Sequence, residues 1–234
     1  MYHGIISSNT DIPPGREAGA ELYDVSIDHF RAQMQCLKAS GREAALTFDD
    51  GEMNNYTLAF PVMKELGLKA YFFIIVKRIG NSGYMDWKQL KSLVDEGMTV
   101  GSHGLTHEIL TNLKDTQVIE ELRASKNCLE SNLGIPVTSL SIPRGFCNDK
   151  IIQMAYDLGY TQVFISDRPK CSKAVCIPRV AVKAGWSLKR FKQALEGHVP
   201  AREIVGNVFK NTAKIVLRES GYNFIRKTLI YIIK

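Results

Sequence analysis

The chain has 234 residues, of which 45% are hydrophobic and 23% are charged, and its formal net charge at pH 7 is +6. This composition is close to that of an average globular protein, which argues against intrinsic disorder, collagen-like repeats and coiled coil, and the length suits one sizeable domain. No apolar run reaches the roughly 18 residues that would span a bilayer.

Strand-like and helix-like segments alternate along the first 166 residues. Short apolar stretches rich in β-branched and aromatic residues predict strands at 2–7, 43–48, 69–75, 98–102, 137–142 and 161–166. Amphipathic spacing predicts helices at 26–38, 56–66, 87–96, 113–133 and 149–158. This alternation favours parallel βα units, either in an α/β barrel or in an open sheet with helices on both faces, with chemistry at the carboxyl ends of the strands.

From about residue 183 the pattern changes to two or three helices, and the charge changes with it. Residues 1–167 hold 15 Lys and Arg against 21 Asp and Glu, whereas residues 168–234 hold 15 against 3. A basic surface of this kind suits an anionic partner, such as a phosphate, a membrane surface or a nucleic acid, or is a solvated face. The segment therefore predicts a helical appendage packed on the main domain, or an amphipathic surface that docks on anionic lipid.

The first chemical motif is LTFDDGE at 46–52, where an apolar strand delivers Asp49 and Asp50 onto a Gly turn. Neighbouring side chains of a strand point to opposite sides, so both carboxylates can face one pocket only if the strand has already ended. The alternative is ordinary Asp-Asp-Gly turn chemistry.

The second motif is GSHGLTHE at 101–108, directly after a predicted strand. His103 and His107 are four residues apart, so one helical turn would bring both imidazoles to one face as a metal-binding pair. Two surface histidines around a turn are the alternative. Two histidines with one carboxylate form a three-ligand site that leaves room for water, and a second carboxylate beside it could accept a proton from that water.

Together these motifs resemble the first two motifs of the NodB-like polysaccharide deacetylases, carbohydrate esterase family four. The pair TFDDG and SHGLTH carries the resemblance, with about fifty residues between them, and it extends over roughly residues 1–182. It implies an α/β fold, a deformed (β/α) barrel of the NodB-like polysaccharide deacetylase type, here with a C-terminal helical appendage. It also implies that Asp49 is the catalytic base and that Asp50, His103 and His107 bind one divalent metal ion, most simply zinc.

The family's third motif is an arginine, any residue, proline and tyrosine, and this sequence departs from it. The corresponding stretch is Ser141-Ile142-Pro143-Arg144-Gly145, which places Ser141 at the arginine position and Arg144 at the tyrosine position. The family uses the backbone N–H at the tyrosine position to hold the oxyanion, and a backbone donor survives a change of side chain, so Arg144 is the candidate here. Arg179, in CIPRVAV, is the candidate to replace the missing arginine beside the base, with a structural ion pair as its alternative.

The general acid of the family, a late histidine in a Leu-x-His motif, has no counterpart here. His3, in the first predicted strand, and His198, on a helical pattern, are weak candidates, and the other route is return of the proton through Asp49. Cysteine usage is the remaining clue. The five cysteines form no CxxC pair, and the first residues lack a charged segment followed by an apolar one, which predicts a reduced, cytoplasmic protein.

We therefore expect residues 1–182 to form a deacetylase-like catalytic domain and residues 183–234 a basic helical extension packed on it. The expected reaction is metal-dependent N-deacetylation of an N-acetylated sugar in a glycan or glycan precursor. We expect a carbohydrate substrate that could be lipid-linked, no nucleic acid, and weak peripheral contact with the inner face of the membrane through the C-terminal basic segment. The alternatives are a non-catalytic carbohydrate-binding relative and a hydrolase of another amide C–N bond.

Overall fold

The computed structural model describes residues 1–166 and 176–198, and its centre is a six-stranded sheet. Two short strands come first, β1 (Ile5–Ile6) and β2 (Val25–Ser26), and pair in parallel with each other. The main sheet follows in strict chain order, with every neighbouring pair parallel. Its strands are β3 (Leu46–Phe48), β4 (Ala70–Ile74), β5 (Thr99–Ser102), β6 (Ser139–Ser141), β7 (Gln162–Ile165) and β8 (Cys176–Pro178).

Helices supply most of the crossovers that parallel strands require. They are α1 (Ile27–Ser40), α2 (Phe60–Leu66), α3 (Trp87–Asp95), α4 (Asp115–Leu133), α5 (Asp149–Asp157) and α6 (Leu188–Leu195). Local sequence fixes several of their ends: Asp86 and Gln89 form a capping box at the start of α3, and Gly134 ends α4 in the left-handed conformation. The predicted helix at 56–66 is in fact a π-helical turn, Asn55–Ala59, that runs into α2.

The first residues of the chain close the gap between the two edges of the sheet. Tyr2 forms a parallel bridge with Phe48 at the β3 edge, donating its N–H to the Thr47 carbonyl at 2.8 Å. Beyond β8, the N–H of Val182 donates to the Met1 carbonyl at 3.0 Å. The sheet therefore curls into an incomplete barrel, which confirms the predicted deformed (β/α) barrel.

Aromatic side chains pack together where β3 and β4 meet helix α1. The ring of Phe48 stacks on Phe72 of β4 at 5.0 Å and on Tyr2 at 5.5 Å, and Phe30 of α1 meets Tyr2 edge-on at 5.2 Å. All four side chains are fully buried, and the Tyr2 hydroxyl donates to Gln33. Close-packed aromatic pairs of this kind fix the position of β3, and β3 carries the aspartate motif.

The predicted domain boundary at residue 182 stays a prediction. Trp186 and Phe191, which follow it, belong to the same hydrophobic core as the barrel, and α6 packs against α1. The remainder of the predicted extension, from residue 199 onward, lies outside the described residues. Among the helices that the structure describes, none is long and apolar enough to cross a membrane.

Candidate active site

The predicted site residues meet at the carboxyl ends of the strands. Asp49 and Asp50 follow β3, His103 follows β5, and Arg179 follows β8. A further loop, residues 7–24, reaches the same place from the N-terminal part of the chain. Because the carboxyl ends of parallel strands share one edge of a sheet, short loops there can bring distant residues together.

The backbone at Asp50 explains how two adjacent carboxylates serve one pocket. The strand β3 ends at Phe48, and the N–H of Asp49 still donates to the Tyr2 carbonyl at 3.0 Å. Asp50 then adopts a left-handed conformation with φ of 74°, and Gly51 follows at 76°. The change of backbone direction ends the alternation of side chains along the strand. Asp50 therefore does not have to point away from Asp49.

The two histidines lie on a loop, so the prediction of a helical turn between them was wrong. His103 follows β5 directly and donates its N–H to the Ile74 carbonyl at 2.8 Å, whereas His107 has a left-handed φ of 73°. A buried carboxylate from α4 holds the loop in shape: Glu121 accepts hydrogen bonds from the backbone N–H and the hydroxyl of Thr106, at 2.5 and 2.8 Å. The imidazole rings are consequently 4.9 Å apart.

Asp50, His103 and His107 form a cluster with the dimensions of a metal site. Asp50 Oδ1 is 3.6 Å from His103 Nε2 and 3.6 Å from His107 Nε2. A tetrahedral zinc ion with ligand bonds of about 2.0–2.2 Å would separate its ligand atoms by roughly 3.3–3.6 Å. Asp50 Oδ1 is also buried with no hydrogen-bond partner, as expected of an oxygen reserved for a cation. These residues therefore fit a divalent ion.

Hydrogen bonds at the far side of each ring leave both Nε2 atoms as acceptors. His103 donates from Nδ1 to the Ser141 carbonyl at 2.8 Å, and His107 donates from Nδ1 to Glu17 at 3.0 Å. Since a carbonyl and a carboxylate can only accept, the proton of each neutral ring lies on Nδ1. Burial lowers the pKa of His103 to about 4, which favours the neutral form that binds metals.

We expect the stability of the metal-free protein to depend on the protonation of His103. An unfolded histidine has a pKa near 6.5, so between about pH 6.5 and 4 the unfolded chain binds more protons at this residue than the folded chain. The free energy of unfolding should therefore decrease as the pH is lowered through this window, by up to about 1.4 kcal/mol per pH unit from this residue. Urea unfolding in a chelator should show a shallower pH slope for His103→Gln, and an equal slope in the two proteins would contradict this.

Asp49 is held by a buried arginine from beyond the last strand. Arg179 donates from its two terminal nitrogens to the two carboxylate oxygens of Asp49, at 2.6 and 2.8 Å. Ser141 joins the pair, since its hydroxyl accepts from Arg179 at 2.7 Å and donates to Asp49 at 3.2 Å. Burial would raise the pKa of Asp49, but the facing charge of Arg179 holds that pKa well below its usual range.

Arg144 lies in a tight turn beside the histidine loop, residues 103–109. The turn Pro143–Gly145 follows β6, and Arg144 within it has a left-handed φ of 56°. Its side-chain Nε is 3.3 Å from the Glu17 carboxylate that also accepts from His107. In the described part of the chain, Asp50, His107 and Arg144 are the non-glycine residues with positive φ, and all three border this site.

The two candidates for the general acid differ in their surroundings. His3 is near the aspartates. Burial lowers the pKa of His3, although the charges of Asp50 and Asp49 act to raise it. The Nδ1 atom of His3 is buried with no hydrogen-bond partner. His198 follows α6, its side chain is 74% exposed, and its ring meets Glu196 at 3.4 Å. The structure thus brings His3 to the site and leaves His198 on the surface.

Two further residues of the site, Glu17 and Glu121, were not predicted from the sequence. Glu17 lies 90 residues before its partner His107, in a loop without periodicity. Glu121 sits on the buried face of a predicted helix, and a buried acid at a core position is a signal that could have identified it.

Sequence and structure comparisons show which known proteins this chain resembles. A family profile described as polysaccharide deacetylase matches residues 37–163. YxkH of Bacillus subtilis is 30% identical over 84% of this chain and 75% of its own length. The peptidoglycan-N-acetylglucosamine deacetylase of Bacillus cereus is 28% identical, over 52% of this chain and 55% of its own length.

Solved structures share the same fold. The deacetylase PplD of Streptococcus pyogenes, solved in complex with acetate, has a TM-score of 0.72 at 23% identity and covers 83% of this chain and 95% of its own. A polysaccharide deacetylase from Bacillus cereus has a TM-score of 0.71 at 25% identity and covers 83% and 67%. At 23% identity, the similarity to PplD concerns the fold alone.

Proposed function

This chain belongs to the polysaccharide deacetylase family, and from that membership we propose that it hydrolyses the acetamide of an N-acetylated sugar in a glycan or glycan precursor. Membership makes it a hydrolase of non-peptide carbon–nitrogen bonds. The observation that carries the finer proposal is the cluster of Asp50, His103 and His107 beside the pair of Asp49 and Arg179.

The first part of the proposal is that Asp50 Oδ1, His103 Nε2 and His107 Nε2 hold one divalent ion, with zinc favoured by the two imidazoles and one carboxylate. When bound, such an ion supplies an acidified water as nucleophile and a positive charge near the amide carbonyl.

Asp49 is the proposed general base. Its Oδ2 is 3.7 Å from Nε2 of His103, a proposed metal ligand, and this proximity supports the assignment. Arg179 and Ser141 hold the carboxylate in one orientation, and the charge of Arg179 keeps it ionised, so that it can accept a proton.

The acetamide carbonyl becomes an oxyanion as the nucleophile attacks. We assign the backbone N–H of Arg144 as a donor to it, because the turn after β6 borders the histidine loop. Collapse then breaks the C–N bond, and the departing amine needs a proton. His3 is the proposed alternative to Asp49 as its source, since its Nδ1 is buried and the charges of both aspartates act on its ring.

Acetate release from N-acetylglucosamine oligomers tests the proposed reaction. We expect one acetate per free amine formed, a zinc content of one per chain, and loss of activity in a chelator that is restored by zinc. His3→Gln should lower turnover in the same assay if His3 delivers the proton, and leave it unchanged if Asp49 does. Zinc binding with release of a different acyl or cyclic amide product would favour another amide hydrolase, and saccharide binding without any product would favour a non-catalytic relative.

We also propose that the substrate is a lipid-linked glycan handled in the cytoplasm, with weak contact to the inner face of the membrane. The support is the charge of residues 201–234, which carry seven Lys and Arg and two Asp and Glu, with apolar residues concentrated near their end. Each cation near an anionic bilayer contributes about 1 kcal/mol of attraction.

Liposome flotation tests the membrane contact. We expect the full chain to float with anionic vesicles at low salt, and to stay in the soluble fraction with neutral vesicles, because the attraction is electrostatic. A form that ends near residue 220 should lose the association, since it lacks the apolar residues of the carboxyl end. Flotation that is absent for the full chain, or equal for both forms, would contradict the proposal.

A further inference from the structure

We propose that Glu17 is the positioning residue for His107, and that through it the N-terminal loop, residues 7–24, sets the metal affinity of the site. The inference rests on the proposed function, because it assumes that Asp50, His103 and His107 hold a metal ion. Glu17 lies between two short 3-10 turns, Asn9–Asp11 and Ala20–Tyr23. Its Oε1 is 3.0 Å from His107 Nδ1.

The two histidines of the cluster are fixed in different ways. His103 receives its partner from the backbone of β6, where the Ser141 carbonyl accepts from Nδ1 at 2.8 Å. His107 stands on a loop in a left-handed conformation, and the acceptor at its Nδ1 is the Glu17 side chain. A side-chain acceptor can be removed by one substitution, whereas a backbone carbonyl cannot. His107 is therefore the ligand whose orientation depends on a single distant residue.

The contact decides which nitrogen of His107 can bind a cation. A neutral imidazole carries its proton on either nitrogen, and a carboxylate at one of them fixes the proton there. With Nδ1 donating to Glu17, the lone pair lies on Nε2, which is 3.6 Å from Asp50 Oδ1. Without Glu17 the other tautomer becomes available, and Nε2 would then present a proton to the metal position.

A second contact and a buried anchor hold the Glu17 carboxylate in place. Its Oε2 is 3.3 Å from Arg144 Nε, so one side chain joins the histidine loop to the turn after β6. The preceding residue, Arg16, is paired with Asp24 at 2.6 Å and with Glu52 at 2.9 Å, and these three side chains are at most 9% exposed. Because Glu52 lies two residues after Asp50, this anchor ties the loop to the aspartate motif.

The test is the zinc affinity of Glu17 variants, measured by competition with a chromophoric chelator. Loss of an outer partner of a metal-binding histidine typically costs about 10–100-fold in affinity, and we expect Glu17→Ala to lose that much. Glu17→Gln should retain most of the affinity, because its amide oxygen still accepts from Nδ1. Glu21→Ala, an exposed acid in the same segment, is the matched control and should bind zinc like the parent chain.

Two measurements on the metal-free protein separate positioning from a loss of folding. Nitrogen-15 NMR of the imidazoles should show His107 protonated at Nδ1 in the parent chain and in Glu17→Gln, and a shift toward the other tautomer in Glu17→Ala. The unfolding temperatures of Glu17→Ala and Glu21→Ala should be alike. Zinc affinity in Glu17→Ala within threefold of the parent, or an unchanged tautomer, overturns the inference. A parent chain that binds no zinc overturns the proposed function instead.

Discussion

Replacing His103 or His107 by alanine should reduce zinc affinity by more than about a hundredfold, because each removes a direct ligand where even an outer partner is worth about 10–100-fold. Among the described residues the cluster offers three protein ligands, and the neighbouring carboxylate of Asp49 is already held by Arg179. Metal analysis after dialysis against a weak chelator measures the effect.

His29→Ala is the matched control for those two variants. His29 is exposed on α1, so its removal changes the histidine count without touching the site. The control should keep one zinc per chain. Full occupancy in both His103→Ala and His107→Ala would show that the ion is held elsewhere.

Asparagine at Asp49 and at Asp50 should give opposite results, although the two residues are adjacent. Both oxygens of Asp49 are committed to Arg179, whereas Asp50 Oδ1 has no hydrogen-bond partner and faces both imidazoles. Asp49→Asn should therefore keep the metal and lower turnover by about a hundredfold or more, the usual contribution of a general base. Asp50→Asn should lose the metal together with the activity.

The comparison needs a check on folding, because Asp49→Asn leaves the buried charge of Arg179 only partly compensated. Breaking one side of a buried pair commonly costs about 3–5 kcal/mol, so thermal unfolding should accompany the assay. The double variant Asp49→Asn with Arg179→Met removes the charge and should recover part of that stability without recovering turnover. Equal metal loss at the two aspartates would mean that their roles had been exchanged or merged.

The barrel could be predicted because five of its six strands, β3 to β7, are largely buried on both faces. Segments such as 69–75 and 161–166 are continuous apolar runs, and the segments between successive predicted strands have apolar residues at helical spacing. The structure has a parallel strand in each of the two runs. The strand β2 has two residues, which is too short for any periodicity. Closure of the sheet depends on a hydrogen bond from Tyr2 to Thr47 and on one from Val182 to Met1, and no local pattern encodes such distant pairings.

Within the site, the identity of the motif residues was predictable, whereas Glu17, Glu121 and the backbone geometry were not. The motifs placed Asp49, Asp50, His103 and His107, and the departure at Ser141 directed attention to Arg179, which does contact Asp49. The spacing of the histidines suggested a helix because four residues make one turn, but Glu121 and a left-handed His107 produce the same proximity on a loop. Sequence spacing constrains how far apart two side chains can be, and it does not choose the backbone path.

At Asp50, His107 and Arg144 the backbone is left-handed, so a substitution that raises stability can lower activity. A residue with a Cβ is disfavoured there by about 1–2 kcal/mol, a cost that glycine avoids, although glycine loses part of the gain to its own flexibility in the unfolded chain. A random library screened for heat resistance would thus enrich glycine at these positions, and the same library screened for turnover would retain Asp50 and His107. The conflict is smallest at Arg144, because its proposed role in oxyanion binding needs only its backbone, although glycine there would also remove the side-chain contact with Glu17. An engineer seeking a more robust variant should begin with that turn.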